Sequence, residues 1–129
     1  MTPGSPVLHW MAAHADRYGV VTKHTEDEIA AICSAIGASF AGSLGMTGTS
    51  GPGMALKGEA MGLAISTELP LVIVDVQRAG PSTGMPTKVE QSDLLSSIFG
   101  RNGDAPMPVI AISKPSDAFE LSIDACRIA

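Results

Sequence analysis

Leu71-Val-Ile-Val-Asp-Val76 runs without a break into Gln77-Arg-Ala-Gly-Pro-Ser-Thr-Gly-Met-Pro-Thr87. The first six residues have the length and apolar, β-branched character of a strand buried on both faces, as in a parallel sheet. The residues after Val76 then form a loop at the carboxyl end of that strand, the edge at which open α/β sheets bind small ligands. This loop carries one fixed cation, Arg78, two glycines that permit close backbone approach, and hydroxyls at Ser82, Thr83 and Thr87. It is a candidate for anion recognition, with the guanidinium offering a planar fork to a small carboxylate. The bland alternative for Arg78 is a solvated loop cation or a partner for Asp75.

Outward from this strand, Met46 to Thr49 reads as another, followed by the turn Ser50-Gly-Pro-Gly53 and a helix to about Thr67. Near the start, Ser5 as cap and Pro6 as first helical residue open a helix ending near Gly19, with Val7, Leu8, Met11, Ala12 and Ala15 on one face. Val20 to His24 is expected as a short strand. Thr25 to Glu28 opens a small-residue helix to about Gly42, its buried stripe expected at Ile29, Ile32, Ile36 and Phe40. Beyond the loop come a helix from Glu90 to Phe99, a strand from Pro108 to Ile112 and a last helix from Pro115. This alternation predicts an α/β fold, an open doubly wound parallel sheet with helices on both faces. Residues 1–129 are expected to form a single domain, incomplete at both ends. A helix comes first where a central strand is usual, and the last helix lacks a closing cap.

Aromatic residues make up only 4% of a chain that is 45% hydrophobic, so the interior must be layered from Ala, Val, Ile, Leu and seven Met. Eight basic residues against thirteen acidic ones, with no basic cluster, exclude nucleic acid and anionic membranes as natural partners. No apolar stretch approaches the roughly 20 residues of a membrane span, and no basic segment with an apolar signal region opens the chain. A cytoplasmic protein is expected, with Cys33 and Cys126 as buried, reduced thiols. His9, His14 and His24 lack metal-ligand spacing, and no metal is expected on this chain.

Two further stretches each carry more than one reading. Ser50 stands between a strand and a helix like a nucleophile, yet Pro52 breaks the Gly-x-Ser-x-Gly pattern and no histidine sits in a triad context. The spacing of Gly53 and Gly58 resembles a phosphate loop, but Glu59 stands where its lysine belongs. A glycine-rich turn that lets backbone approach another group closely is the favoured reading there. Thr25 and Glu28 have capping-box spacing, and the pattern alone favours that structural role. The small residues Ala30, Ala31, Ala35, Gly37 and Ala38 nonetheless leave room beside Glu28 for a flat ligand or another subunit. Burial there would raise the proton affinity of a carboxylate. Glu90-Gln-Ser-Asp93 reads first as the acidic start of a helix and second as a support for the neighbouring loop.

Taken together, Thr2-Pro3, Ser5-Pro6, Glu26-Asp-Glu-Ile-Ala-Ala31, Thr49-Ser-Gly-Pro-Gly53, Val76 to Thr87 and Glu90-Gln-Ser-Asp-Leu94 resemble the α subunit of 2-oxoacid:ferredoxin oxidoreductases across essentially the whole chain. The loop Gly80-Pro-Ser-Thr-Gly-Met-Pro-Thr87 is closest to the 2-oxoglutarate type. The resemblance implies the pyrimidine domain of the thiamine diphosphate-binding fold, here without the family's first strand. It implies that Glu28 hydrogen-bonds N1′ of the aminopyrimidine and is catalytic, and that Thr49, Ser50 and Gly51 line the cofactor. Arg78, with Ser82 and Thr83, would hold the substrate carboxylate, and Thr2 would hydrogen-bond near the reacting centre. The diphosphate, magnesium and iron–sulfur clusters are expected on other subunits, the first two on a partner β subunit, with coenzyme A and ferredoxin taking part in an oligomeric complex. Alone, this stretch should be inactive.

Two other functions compete with this one. A non-catalytic assembly module would bind a partner regardless of Glu28 and Arg78 and need no cofactor. A serine acyl hydrolase would use Ser50 and label with a fluorophosphonate.

Overall fold

A computed structural model describes residues 2–129. Helix α1 spans Ser5–Tyr18, α2 Glu28–Phe40, strand β1 Gly45–Thr49, α3 Gly51–Leu56, α4 Gly58–Ser66, β2 Leu71–Asp75, α5 Leu94–Phe99, and α6 Ala118–Ile128 after one 3-10 turn at Pro115–Asp117. The chain is an α/β structure in which β1 and β2 pair in parallel, Gly45 opposite Leu71 and Thr49 opposite Asp75. Parallel strands need a long crossover, and α3 with α4 supplies it.

Helix α2 lies on the sheet face that carries Gly45, Leu71 and Ile73. A Cβ at Gly45 would fall on the Ala35 carbonyl, so only glycine lets the helix approach this closely. Ile32, Ile36, Met54, Ala60, Met61 and Ala64 form the core between α2, α3 and α4, with Leu69, Leu71, Ile73 and Met107 packed on it. On α2 the buried residues are Ile32, Ala35, Ile36 and Ser39. Ile29 and the 83%-exposed Phe40 lie outside the stripe expected of them, at the two ends of the helix beyond the buried face of Ile32, Ala35, Ile36 and Ser39. Cys33 follows Ile32 by about 100° of helical rotation and is exposed. So is Cys126, which makes both thiols free but not buried.

Among the described residues two of the expected strands do not form. Val20 to His24 leaves α1 through Gly19, whose φ of 65° turns the chain away, and Val21 is 95% exposed. Pro108 to Ile112 likewise joins no ladder. Branched apolar residues favour strands only where a sheet edge is there to receive them. The predicted helix from Gly53 to Thr67 is two helices that meet at Lys57, where the weak helix former Gly58 follows an inward-turned side chain. No helix of the described residues is long and apolar enough to cross a membrane.

Candidate active site

Both strands stop at the same level, and the pairing is prolonged by a bond from the Val76 N–H to the Thr49 carbonyl, 3.0 Å. Their carboxyl ends therefore present two chain segments side by side, Thr49-Ser50-Gly51 and Asp75 to Arg78. Thr49 and Ser50 are completely buried, and Ser50 Oγ has no hydrogen-bond partner among the described residues. A sealed hydroxyl without a base is not an activated nucleophile, which removes the hydrolase reading of Ser50.

Glu28 is not a cap. The helix begins one residue after Asp27, whose Oδ1 accepts from the Ala30 N–H at 2.7 Å, while Thr25 Oγ1 turns to the Asp27 carbonyl at 3.2 Å. The capping box read from Thr25 and Glu28 fails because Asp27 is the better-placed acceptor for the third helical amide. The Glu28 side chain is thereby released and half-buried against α3. A Cβ built on Gly53 would lie 2.7 Å from Glu28 Cγ and 3.3 Å from its Cδ, and would overlap Thr49 Oγ1. Glycine at 53 is thus what lets a carboxylate of α2, the end of β1 and the start of α3 converge.

Lys57 joins this group, although nothing in the sequence reading placed it there. It has no exposed surface, and its Nζ donates to the Glu28 carbonyl at 2.9 Å. Burial lowers its proton affinity below the ordinary lysine value, and the Glu28 and Asp27 carboxylates oppose that fall. The one available signal was a lysine following Gly-Met-Ala-Leu inside an otherwise apolar helix.

In the loop after the neighbouring strand, Arg78 is 5% exposed and clamps the site's outer edge. Nη1 donates to the Thr2 carbonyl at 2.8 Å and Nη2 to the Thr83 carbonyl at 2.7 Å, while Nε is buried without a partner. Thr2, Arg78 and Thr83 are therefore brought together, with Thr2, Ser82 and Thr83 themselves exposed. The loop folds back on itself through Ala79 and Met85, and Gly84, at φ 54°, passes so close to the Ala79 carbonyl that a side chain has no room. Gly80, by contrast, faces open space.

Glu90-Gln-Ser-Asp93 precedes α5 rather than starting it, because its polar groups are engaged by the loop. Glu90 Oε2 accepts from the Gly80 N–H at 3.2 Å, Ser92 Oγ donates to the Arg78 carbonyl at 2.7 Å, and the Asp93 N–H donates to Gln77 Oε1 at 2.8 Å. Asp75 does not pair with Arg78. It meets the buried Asp93, and burial together with that neighbouring carboxylate and a hydrogen bond to it raises Asp75 to about 7. Asp93 also borders Gly51, where a Cβ would come within 3.3 Å of its Oδ1. Among the described residues no three His, Cys, Asp or Glu side chains are grouped as metal ligands.

Comparison with known proteins matches residues 1–129 to a family described as pyruvate flavodoxin/ferredoxin oxidoreductase, thiamine diphosphate-binding. The 2-oxoglutarate oxidoreductase subunit KorA of Mycobacterium tuberculosis is 54% identical over all of this chain, which covers 20% of that protein. The 2-oxoglutarate synthase subunit KorA of Archaeoglobus fulgidus is 46% identical, again over the whole chain and 37% of the relative. A solved 2-oxoglutarate:ferredoxin oxidoreductase from Magnetococcus marinus, with 2-oxoglutarate, coenzyme A and succinyl-CoA bound, superposes with a TM-score of 0.94 at 45% identity. That match covers 98% of this chain and 22% of the other. The chain thus spans about a fifth to just over a third of the length of these proteins.

Proposed function

Since this chain belongs to the pyruvate flavodoxin/ferredoxin oxidoreductase, thiamine diphosphate-binding family, we propose that it supplies the pyrimidine-binding half of the active site of a 2-oxoglutarate:ferredoxin oxidoreductase. The observation that carries this reading is the release of Glu28 from helix capping to a half-buried place beside Gly53 and Thr49, at the carboxyl edge of the parallel strands. The residues suit the group they would hold. A carboxylate beside Gly51 and Gly53, where a Cβ at either position would crowd Asp93 or Glu28, fits a flat ring with a basic nitrogen.

When bound, thiamine diphosphate supplies a carbanion and an electron sink for decarboxylation of the 2-oxoacid. This chain's part is to hold and orient. Glu28 would hydrogen-bond N1′ of the pyrimidine, and the Thr49-Ser50-Gly51 segment, with Thr49 and Ser50 buried, would back the ring through Gly51. Arg78 commits two of its five N–H groups to the Thr2 and Thr83 carbonyls, which leaves three for the substrate carboxylate, with Ser82 and Thr83 beside it. Thr2, whose carbonyl the same clamp holds, would hydrogen-bond near the reacting centre.

The diphosphate and magnesium would be held on a partner β subunit and iron–sulfur clusters on other subunits, with ferredoxin and coenzyme A as the complex's further partners. Phe40, Phe99 and Phe119, at 83%, 74% and 76% exposed, fit contacts within such an assembly. The free thiols Cys33 and Cys126 suit a reducing cytoplasm.

The test is Glu28→Gln in the assembled complex, read as 2-oxoglutarate- and coenzyme A-dependent reduction of a viologen. Loss of a proton-handling group costs about 10²- to 10⁴-fold in rate. Turnover within a factor of two of wild type would refute the assignment.

A further inference from the structure

Asp75 and Asp93 lie between the segment that would back the cofactor and the loop that would hold the substrate. Asp75 ends β2 opposite Thr49, and Asp93, only 7% exposed, borders Gly51. Asp93 also ties down the Arg78 loop, since its N–H donates to Gln77 Oε1 at 2.8 Å and its neighbour Ser92 donates to the Arg78 carbonyl at 2.7 Å.

This knot is short of donors. Ser92 Oγ has one proton for two acceptors, the Arg78 carbonyl and, at 3.0 Å, Asp93 Oδ1. Asp75 Oδ1 and Asp93 Oδ2 are buried and have no partner among the described residues. Two carboxylates that meet away from water cannot both stay ionised, and bare buried oxygens are costly. One added proton answers both difficulties.

We propose that Asp75 and Asp93 are positioning residues that hold one proton between them, and that this bridge keeps the Arg78 loop in place for the 2-oxoacid carboxylate. The inference rests on the proposed role of Arg78. Charged groups on the segments packed around the pair are otherwise engaged: Glu90 accepts from the Gly80 N–H, and Arg78 spends Nη1 and Nη2 on the Thr2 and Thr83 carbonyls. Thr49 to Gly51 and α5 carry no charge. Burial and Asp93 raise Asp75 to about 7, so the proton is held below that pH and released above it. Two buried anions then face each other where the loop is fastened.

The experiment follows the assembled complex from pH 6 to 8.5 by two readouts. One is KM for 2-oxoglutarate, and the other is hydrogen exchange of residues 77–93, corrected for the intrinsic pH dependence of exchange. In wild type KM should rise about 10-fold across this range, the worth of one hydrogen bond to a charged group, and protection of the loop should fall in step.

Asp75→Asn sets an amide donor against Asp93 at every pH, so both readouts should stay flat at their pH 6 values. Asp75→Ala supplies no donor and should show the raised KM and the weak protection already at pH 6. A merely structural role would lower stability without moving a pH profile. An Asp75→Asn profile that climbs as wild type does overturns the inference, and asparagine keeps the shape of aspartate should the alanine variant fail to fold. Exchange that changes neither with pH nor in the variants removes the bridge itself. Exchange that responds as expected while KM does not sinks the assignment of the substrate carboxylate to the Arg78 loop, and the pair's role in substrate binding with it.

Discussion

Replacing Gly53 by alanine tests whether the close approach of α3 to Glu28 makes the site. The added Cβ would stand 2.7 Å from Glu28 Cγ and overlap Thr49 Oγ1, and Thr49 is fully buried at the end of β1 and cannot retreat. Glu28 is half-buried and must be the one to yield. Overpacking of this kind costs about 1–3 kcal/mol, offset by about 1 kcal/mol from the better helix propensity of alanine. Net stability should therefore fall by no more than about 2 kcal/mol, and the protein should still fold.

Binding should suffer more, because a carboxylate displaced by even a fraction of its hydrogen-bond length loses a charge-assisted bond worth about 1.5–3 kcal/mol. That is about a 10- to 100-fold weaker Kd for thiamine diphosphate. The assay is cofactor titration of the assembled complex alongside its thermal unfolding. Gly62→Ala is the control, since a Cβ there meets nothing within 4 Å on α4. It should leave Kd unchanged and raise stability by up to about 1 kcal/mol. Wild-type affinity in Gly53→Ala would show that the position of Glu28 does not depend on this contact.

Three further outcomes are expected. Asp75 is raised from 3.8 to about 7 by burial and by Asp93. The folded state therefore binds a proton that the unfolded chain releases, and stability should decline as pH rises from about 4 to 7 and then level off. Asp75→Asn should flatten that decline and stabilise the protein at pH 8 by no more than about 4 kcal/mol, at about 1.36 kcal/mol per unit. Unfolding midpoints against pH decide this, and a wild-type profile in the variant contradicts it. Arg78→Lys cannot span the Thr2 and Thr83 carbonyls with a single ammonium. It should raise KM for the 2-oxoacid about 10- to 100-fold, with the cofactor Kd little altered, as steady-state kinetics and titration will show. A fluorophosphonate should leave Ser50 unlabelled, because its hydroxyl is sealed and lacks a base, and mass spectrometry of the treated chain reads the result.

The two strands that pair were legible in the chain because each is a short local run, Gly45 to Thr49 and Leu71 to Asp75, bounded by turn residues. Their carboxyl edge, and with it the loop around Arg78, followed from the parallel arrangement that strand–helix alternation implies. Family resemblance came from the order of several motifs, each weak alone. Val20 to His24 and Pro108 to Ile112 have the same local character, yet they stay unpaired among the described residues. Composition records a preference for strands and says nothing of whether an edge is within reach.

The chemistry at the site depended on competition and distance. Thr25 and Asp27 are both good caps, and Asp27, extended at φ −146° and ψ 178°, took the place by accepting from the Ala30 N–H and left Glu28 free. Lys57 reads in one dimension as a helix surface lysine, and only the packing of α3 and α4 against α2 turned it inward. Asp75 and Asp93 meet because the segment before α5 returns to bind the loop after β2, through Gln77, Gly80 and Arg78. Strand identity and the binding edge are written in neighbouring residues, whose preferences are local. Which cation is buried and which carboxylates meet were settled by contacts between segments far apart in the chain, and these exist only once it has folded.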